Sequence, residues 1–314
     1  MKIREYFGGA KSMGDSANIP ATGVVILVLL CLLWGGNMVS IKISNLGIPP
    51  ILSALVRSVV SGLLLWIYAW GIGRSVFLDT RDLKHGAAIG GMFGVEFLML
   101  YYGIDLTNAS RAIIFLYTQP LWTALGAHFF LSAERLSMSK SLGLILSFAG
   151  LVTVFGTRPT NLGPLYWVGD LMEVAAAVLW AATNIYIKRF MLNKPITHYQ
   201  TLFSQLLFSV PVLAAGWLVF EWGRPIILDG LVVGSLVYQS VVIAFASYLL
   251  WFWMIHRYQV SRLAAFTFLT PLSGVILSGL LLKEPLTTFL LVGLILVAAG
   301  LYLVNRPESG NSKS

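Results

Sequence analysis

The stretch GVVILVLLCLLWGGNMVSI, residues 23–41, contains 19 consecutive residues without a charged side chain. A helix of about 20 mostly apolar residues is long enough to span the hydrocarbon core of a bilayer. The apolar core of a cleavable signal peptide is shorter, about 7–15 residues. We therefore predict a retained membrane helix here, preceded by a polar cytoplasmic segment at residues 1–21.

The rest of the chain has the same apolar character. Of its 314 residues, 57% are hydrophobic and 11% are charged, and the mean hydropathy is +0.82. Soluble domains contain roughly a quarter charged residues, so lipid is the solvent that this composition fits. The net charge of +8 does not indicate nucleic-acid binding, because Lys and Arg stand singly or in pairs between apolar runs.

Ten apolar segments are long enough to be predicted membrane spans. The connections between them are short and contain Gly, Pro or charged residues, so none of them is expected to fold as a domain. Backbone groups in lipid must bond within their own element, which predicts an all-α integral membrane protein with ten transmembrane helices. The predicted spans are 22–43, 51–72, 84–104, 111–131, 139–157, 165–187, 197–220, 230–255, 262–282 and 287–304.

The distribution of Lys and Arg predicts the orientation of these spans. With a cytoplasmic N-terminus, 15 basic residues fall in inside segments, 5 fall in outside segments and Arg57 falls within a span. Cytoplasmic loops carry the excess of Lys and Arg in membrane proteins. We therefore predict a multi-pass protein of the cytoplasmic membrane with residues 1–21 and the tail, 305–314, both inside the cell.

The two halves of the chain share a series of motifs in the same order, which predicts repeats at 22–157 and 165–304. Each half has five spans, so the second copy enters the membrane inverted. Inverted repeats are typical of secondary transporters, whose binding site lies near the midplane between the repeats. The first set of motifs is Leu33-Trp34, Ile41-Lys42, Gln119-Pro120-Leu121, Glu134, Gly143 and Gly150. The second is Leu179-Trp180, Ile187-Lys188, Thr270-Pro271-Leu272, Glu284, Gly293 and Gly300.

These motifs resemble those of the drug/metabolite transporter superfamily, in its EamA branch, over residues 22–304. The resemblance implies a central cavity lined mainly by the first four helices of each half, with the fifth and tenth helices at the periphery. One feature differs from the small multidrug-resistance relatives, which carry a membrane Glu eight residues before a Lys. This chain has Trp34 and Trp180 at those positions, so the resemblance does not imply drug–proton exchange through that carboxylate.

Ionisable side chains within a span usually face a cavity or a partner, because lipid solvates them poorly. In the sixth predicted span, Asp170, Glu173, Trp180 and Asn184 fall on one helix face at about 100° per residue. This polar stripe faces either a water-filled route or neighbouring helices. Proton coupling requires a carboxylate that changes its protonation state, and Glu173 is the candidate because it lies deeper than Asp170.

Arg57 and Glu96 are the other two ionisable groups that stand out inside the predicted spans. A rise of about 1.5 Å per residue places them at similar depths, which predicts an ion pair that would compensate both charges. Such a pair either fixes helix packing or opens when a substrate or a proton competes for it.

Polar and aromatic residues complete the candidate site. Pro120 and Pro271 interrupt the fourth and ninth helices beside polar side chains, and this either builds a polar site or only bends the helices. Tyr101, Tyr102, Trp251 and Trp253 lie near span ends and are predicted interfacial residues. The predicted substrate-binding residues are Trp34, Asn37, Arg57, Glu96, Tyr117, Gln119, Glu173, Trp180, Asn184 and Thr270.

The leading functional hypothesis is a secondary transporter of small organic solutes, an exporter of amino acids or related metabolites. A nucleotide-sugar or phosphate-ester exchanger is an alternative, although it would need clustered cations in the cavity. A non-transporting scaffold or receptor is a third possibility. The sequence shows no nucleotide-binding motif, no metal-ligand spacing and no nucleophile–base set, so neither a cofactor nor an enzymatic reaction is expected. The expected partners are the solute and the bilayer, with a homo-oligomer left open.

Overall fold

The computed structural model of the protein describes residues 20–130, 137–156, 162–191, 194–257, 266–267 and 269–305. Within these ranges the regular structure is entirely helical. Seven helices are long and apolar enough to cross a membrane, and two shorter apolar helices follow near the C-terminus. The first half contains α1 (Ala21–Ser44), α2 (Pro50–Gly71), α3 (Leu83–Leu106), α4 (Ala109–Leu116), α5 (Gln119–Phe130) and α6 (Met138–Phe155).

The second half begins with α7 (Tyr166–Phe190) and α8 (His198–Phe220). It continues with α9 (Gly230–Val237), a π-helix (Tyr238–Ser247) and α10 (Tyr248–Arg257), which follow one another without a break. The last two helices are α11 (Leu269–Leu281) and α12 (Thr288–Asn305). Helix is therefore present in every predicted span, although residues 262–265 and 268 of the ninth lie outside the described residues.

The fourth predicted span consists of two helices rather than one. Proline has no N–H, so Pro120 cannot bond the carbonyl four residues before it. Helix α4 ends at Leu116, and the Thr118 hydroxyl donates to the Phe115 carbonyl at 2.6 Å. Helix α5 then begins at Gln119, with proline in its first turn, where the missing N–H costs nothing. The predicted interruption is thus a new helix start.

Charged side chains bind several helix ends. The Glu284 carboxylate accepts hydrogen bonds from the backbone N–H groups of Ala109 and Ser110 at 2.8 and 2.9 Å, where α4 begins. Glu221 accepts in the same way from Ile51 and Leu52 in α2. Burial raises the pKa of the Glu221 carboxyl, and the two N–H groups oppose that shift. A carboxylate at a helix N-terminus satisfies free N–H groups and complements the helix dipole.

Lys42 binds the C-terminal end of α3, where a helix has free carbonyl groups. Its Nζ donates to the carbonyls of Ile104, Asp105 and Thr107 at 2.7, 3.0 and 2.7 Å. The last carbonyls of a helix have no partner within it, and a cation there is favourable. The end of α1 is thereby fixed to the end of α3.

Helices α6 and α12 pack antiparallel through glycines. A Cβ atom on Gly143 would lie 2.7 Å from the Gly300 carbonyl oxygen, and one on Gly150 would lie 2.8 Å from that of Gly293. Real Cβ atoms essentially never approach another atom so closely. The two Gly-x6-Gly motifs are therefore the points at which these helices touch, as small residues allow in membrane proteins.

Candidate functional site

A buried arginine lies between the two halves of the chain. Arg57 in α2 is 1% exposed. Its Nε donates to the Gln239 carbonyl at 3.4 Å, and its Nη2 donates to the Tyr248 hydroxyl at 3.2 Å. The guanidinium carbon lies 4.3 Å from the centre of the Phe97 ring. Nη1 has no hydrogen-bond partner among the described residues, so the contacts of this cation are all to neutral groups.

The predicted Arg57–Glu96 ion pair is wrong. Among the described residues no nitrogen of Arg57 comes within 4.0 Å of a Glu96 oxygen. The aromatic ring of Phe97, the next residue along α3, covers the guanidinium instead. Glu96 is 3% exposed, and its Oε2 has no hydrogen-bond partner in the described part of the chain.

A polar network around Gln239 was missed by the sequence analysis. Gln239 is fully buried, and its Oε1 accepts from the Tyr101 hydroxyl at 2.6 Å. Its Nε2 donates to the hydroxyls of Ser44 and Ser40 at 3.1 and 3.3 Å. The prediction that Tyr101 is an interfacial residue is therefore wrong, because its side chain is 0% exposed. An amide within an apolar span was the available signal.

We call Arg57, Tyr101, Gln239 and Tyr248 the Arg57 cluster. Gln239 lies at the start of the π-helix, and Tyr248 follows its end. The wider turns of a π-helix shift the faces that side chains occupy, and such segments are frequent at functional sites. In this segment the Gln239 carbonyl contacts Arg57 in α2, and the Gln239 side chain contacts Tyr101 in α3.

Aromatic pairs lie beside the Arg57 cluster. The rings of Trp34 and Trp251 meet edge to face with their centres 5.2 Å apart, and those of Tyr117 and Trp180 do so at 5.9 Å. The Trp34 Nε1 also donates to the Ser247 hydroxyl at 2.9 Å. Trp251, predicted to be interfacial, contacts a candidate site residue instead. Nothing is described of the Trp253 side chain.

The other predicted site residues differ in whether their polar atoms have hydrogen-bond partners. Asn37 Oδ1 and Thr270 Oγ1 are buried and have no hydrogen-bond partner in the described ranges. Gln119 is satisfied within its own helix, because its Nε2 donates to the Thr123 hydroxyl at 2.6 Å. Asn184 is only partly buried. Unpartnered atoms thus occur on both halves of the chain.

The two acidic residues of the predicted stripe have different environments. The Asp170 carboxylate accepts from Arg111 at 2.5 Å (Nη2) and 3.2 Å (Nε), and from the Thr107 hydroxyl at 2.7 Å. Glu173 is 0% exposed, and neither of its oxygens has a hydrogen-bond partner among the described residues. Asp170 therefore has a structural role, while Glu173 keeps both oxygens uncommitted.

Arg111, the first residue of the fourth predicted span, is buried inside the protein. It lies in α4 and is 3% exposed. Besides Asp170 it bonds the Val154 carbonyl through Nη1 at 2.8 Å. Arg111 is therefore a buried cation like Arg57, but an acidic residue compensates its charge.

These long apolar helices and their buried polar groups define a multi-pass membrane protein. The EamA-like transporter family matches the chain at residues 21–156 and again at residues 167–306. The chain therefore belongs to the EamA-like transporter family, and the resemblance noted in its motifs is confirmed. Membership in this family indicates a transporter rather than an enzyme.

Curated relatives extend over most of the chain. The uncharacterized transporter YoaV of Bacillus subtilis is 22% identical over 278 residues, which cover 88% of this chain and 94% of the relative. A probable amino-acid metabolite efflux pump of Salmonella typhimurium is 29% identical over 287 residues, covering 88% and 93%. A protein of known crystal structure shares the fold with a TM-score of 0.62 at 21% identity, covering 91% and 96%.

Proposed function

We propose that the protein is a secondary transporter of small organic solutes across the cytoplasmic membrane. In this proposal it exports amino acids or related metabolites by alternating access. The observation that carries the proposal is that five predicted site residues, on helices of both halves, bury polar atoms that have no hydrogen-bond partner among the described residues. These atoms are Arg57 Nη1, Glu96 Oε2, Asn37 Oδ1, Thr270 Oγ1 and both carboxyl oxygens of Glu173. Burying such atoms is costly unless a ligand pairs with them. The printed name of the Salmonella relative supports the solute class.

The proposed architecture is ten transmembrane helices in two inverted repeats, 22–157 and 165–304. Two features support it. The same family matches each half separately, and the antiparallel glycine contacts of α6 and α12 pair the same motif from each half. A two-fold axis in the membrane plane would produce such a reciprocal contact. The solute site then lies between the repeats, as in other inverted-repeat transporters.

The proposed orientation, with both termini in the cytoplasm, can be tested by labelling. Leu46 and Met138 are 79% and 86% exposed, and they lie in connections proposed to be outside and inside the cell. In a Cys31→Ser background, an impermeant maleimide applied to intact cells is expected to label Leu46→Cys and not Met138→Cys. Permeabilised cells, in which both positions should react, are the control. Labelling of Met138→Cys alone in intact cells would reverse the orientation.

Flux through proteoliposomes tests the function itself. Vesicles containing the purified protein are loaded with labelled amino acids, a nucleotide sugar and a phosphate ester, each in turn. Protein-dependent efflux of at least one amino acid is expected, and protein-free vesicles set the background. A phosphate ester would need clustered cations, but Asp170 pairs with Arg111 and carbonyl groups surround Lys42. These two cations are therefore not available to join Arg57 in such a cluster. Flux of the phosphate ester alone would establish that alternative, and no flux of any solute would support a scaffold or receptor.

We further propose Glu173 as the proton-coupling residue. A charged carboxylate without a hydrogen-bond donor is costly in a dry interior. The neutral acid therefore suits the arrangement described here, in which both Glu173 oxygens are buried and unpartnered. A conformation that opens this region to water would let the proton leave, and transport and proton movement would then be linked.

A further inference from the structure

We infer that the transported solute is a zwitterion whose carboxylate binds Arg57 and whose ammonium group binds Glu96. This inference rests on the proposed function and names the chemistry of its solute. It follows from a basic and an acidic side chain that are both buried inside membrane-length helices, both incompletely bonded and not in contact with each other.

Arg57 has the geometry of an anion site. A buried cation is costly when no opposite charge touches it, and the hydrogen-bond acceptors of Arg57 are a carbonyl and a hydroxyl. Nη1 is unpartnered, and Nη2 is held only by the neutral Tyr248 hydroxyl at 3.2 Å. A carboxylate binds such a pair of nitrogens with two parallel hydrogen bonds. It would replace the Tyr248 contact, and the Tyr248 side chain is itself only partly buried.

Glu96 supplies the acidic group. Its Oε2 is sealed from solvent and has no hydrogen-bond partner within the described residues. Its carboxyl oxygens lie more than 4.0 Å from the Arg57 nitrogens. Phe97 covers the guanidinium, so the two charges do not collapse into an ion pair. An amino acid carries its own opposite charges a few ångströms apart, and it would satisfy both residues at once.

Arg111 is a buried arginine with a structural role, and it can be compared with Arg57. It is buried to a similar degree, and Asp170 contacts it through two of its nitrogens. No carboxylate of the described residues contacts Arg57 in this way. The difference indicates that the partner of Arg57 comes from outside the chain.

Calorimetric titration of the full-length protein in lipid nanodiscs tests the inference. The twenty common L-amino acids are titrated one at a time, and the tightest binder is then compared with its amide and its N-acetyl derivative. The amide lacks the carboxylate charge, and the N-acetyl form lacks the ammonium charge. Because hydrogen bonds to charged groups are the strong ones, the wild type is expected to prefer the amino acid over each derivative by about 10- to 100-fold.

Two variants separate the two ends of the solute. Arg57→Gln is expected to lose the preference over the amide and keep the preference over the N-acetyl form, and Glu96→Gln is expected to do the reverse. Glu221→Gln, a change at a buried carboxylate that binds the start of α2, should keep both preferences. If Arg57→Gln does not fold, the preferences of the wild type and of Glu96→Gln for the amino acid over its two derivatives still test the inference.

Equal binding of all three compounds by the wild type, or binding of none of the amino acids, would overturn the inference. So would retention of both preferences by Glu96→Gln. The proposed transport function is tested separately, and it would be overturned if proteoliposomes showed no protein-dependent flux of any organic solute.

Discussion

We expect Asp170→Asn to lower the free energy of unfolding by about 3–5 kcal/mol, the range found when one partner of a buried ion pair is removed. The substitution keeps the shape of the side chain and the acceptor for Thr107, so the loss comes mainly from the charge. The Arg111 guanidinium, 3% exposed and bonded to Asp170 at 2.5 Å, would keep its charge in a site without a counter-ion. Chemical unfolding in detergent, followed by tryptophan fluorescence, measures the change.

Two further variants make this test specific. Arg111→Gln combined with Asp170→Asn should cost less than the two single changes added together, because residues in one ion pair are coupled. Asp82→Asn removes the carboxylate that pairs with Lys194 near the surface, and its effect should be much smaller because exposed pairs contribute little. Strict additivity of Asp170→Asn and Arg111→Gln would contradict the structural role of the pair.

Glu173→Gln is expected to reduce transport driven by a pH gradient to the level of protein-free vesicles, while solute binding stays measurable. Glutamine has the shape and polarity of the neutral acid, which is the form that suits a buried, unpartnered carboxyl group. The fold should therefore tolerate the change, but the side chain can no longer release a proton. Uptake into proteoliposomes with an imposed pH gradient, beside a calorimetric binding measurement, checks both expectations.

Glu221→Gln is the matched control for this prediction. Glu221 is also buried, but its carboxylate accepts hydrogen bonds from the start of α2, and an amide oxygen can accept them as well. Gradient-driven transport should persist in this variant. Normal proton-driven transport by Glu173→Gln would show that coupling lies elsewhere. If wild-type transport ignores the pH gradient, a facilitator or sodium-coupled carrier is the better description.

The helices were predictable because lipid imposes a simple rule on the chain. Each span must be apolar over about 20 residues and must satisfy its own backbone, so span ranges follow from composition alone. The interruption at Pro120 was predictable for a similar reason, since the missing N–H acts locally. The glycine motifs of α6 and α12 were visible as a repeat, although their mutual contact was not.

Side-chain partners were harder to predict, because the sequence gives depth in the membrane but not rotation about the helix axis. Glu96 and Arg57 were predicted to lie at matched depths, yet adjacent residues on a helix point about 100° apart, and it is Phe97 that covers the guanidinium. Tyr101 lies near a span end and still faces inward. The π-helix that places Gln239 has no periodic signature in the sequence, and Asp170 meets Arg111 only through the tertiary arrangement of α4 and α7.

The glycine contact between α6 and α12 also has a mechanical consequence. The two helices touch backbone to backbone at two points, Gly143 with Gly300 and Gly150 with Gly293, and seven residues of helix separate these points by about 10 Å. Sliding one helix along the other by a turn would drive a side chain into a backbone. We therefore expect any movement of one half against the other to keep both glycine contacts. In such a movement α6 and α12 should stay together as one rigid pair, and the remaining helices should change their positions.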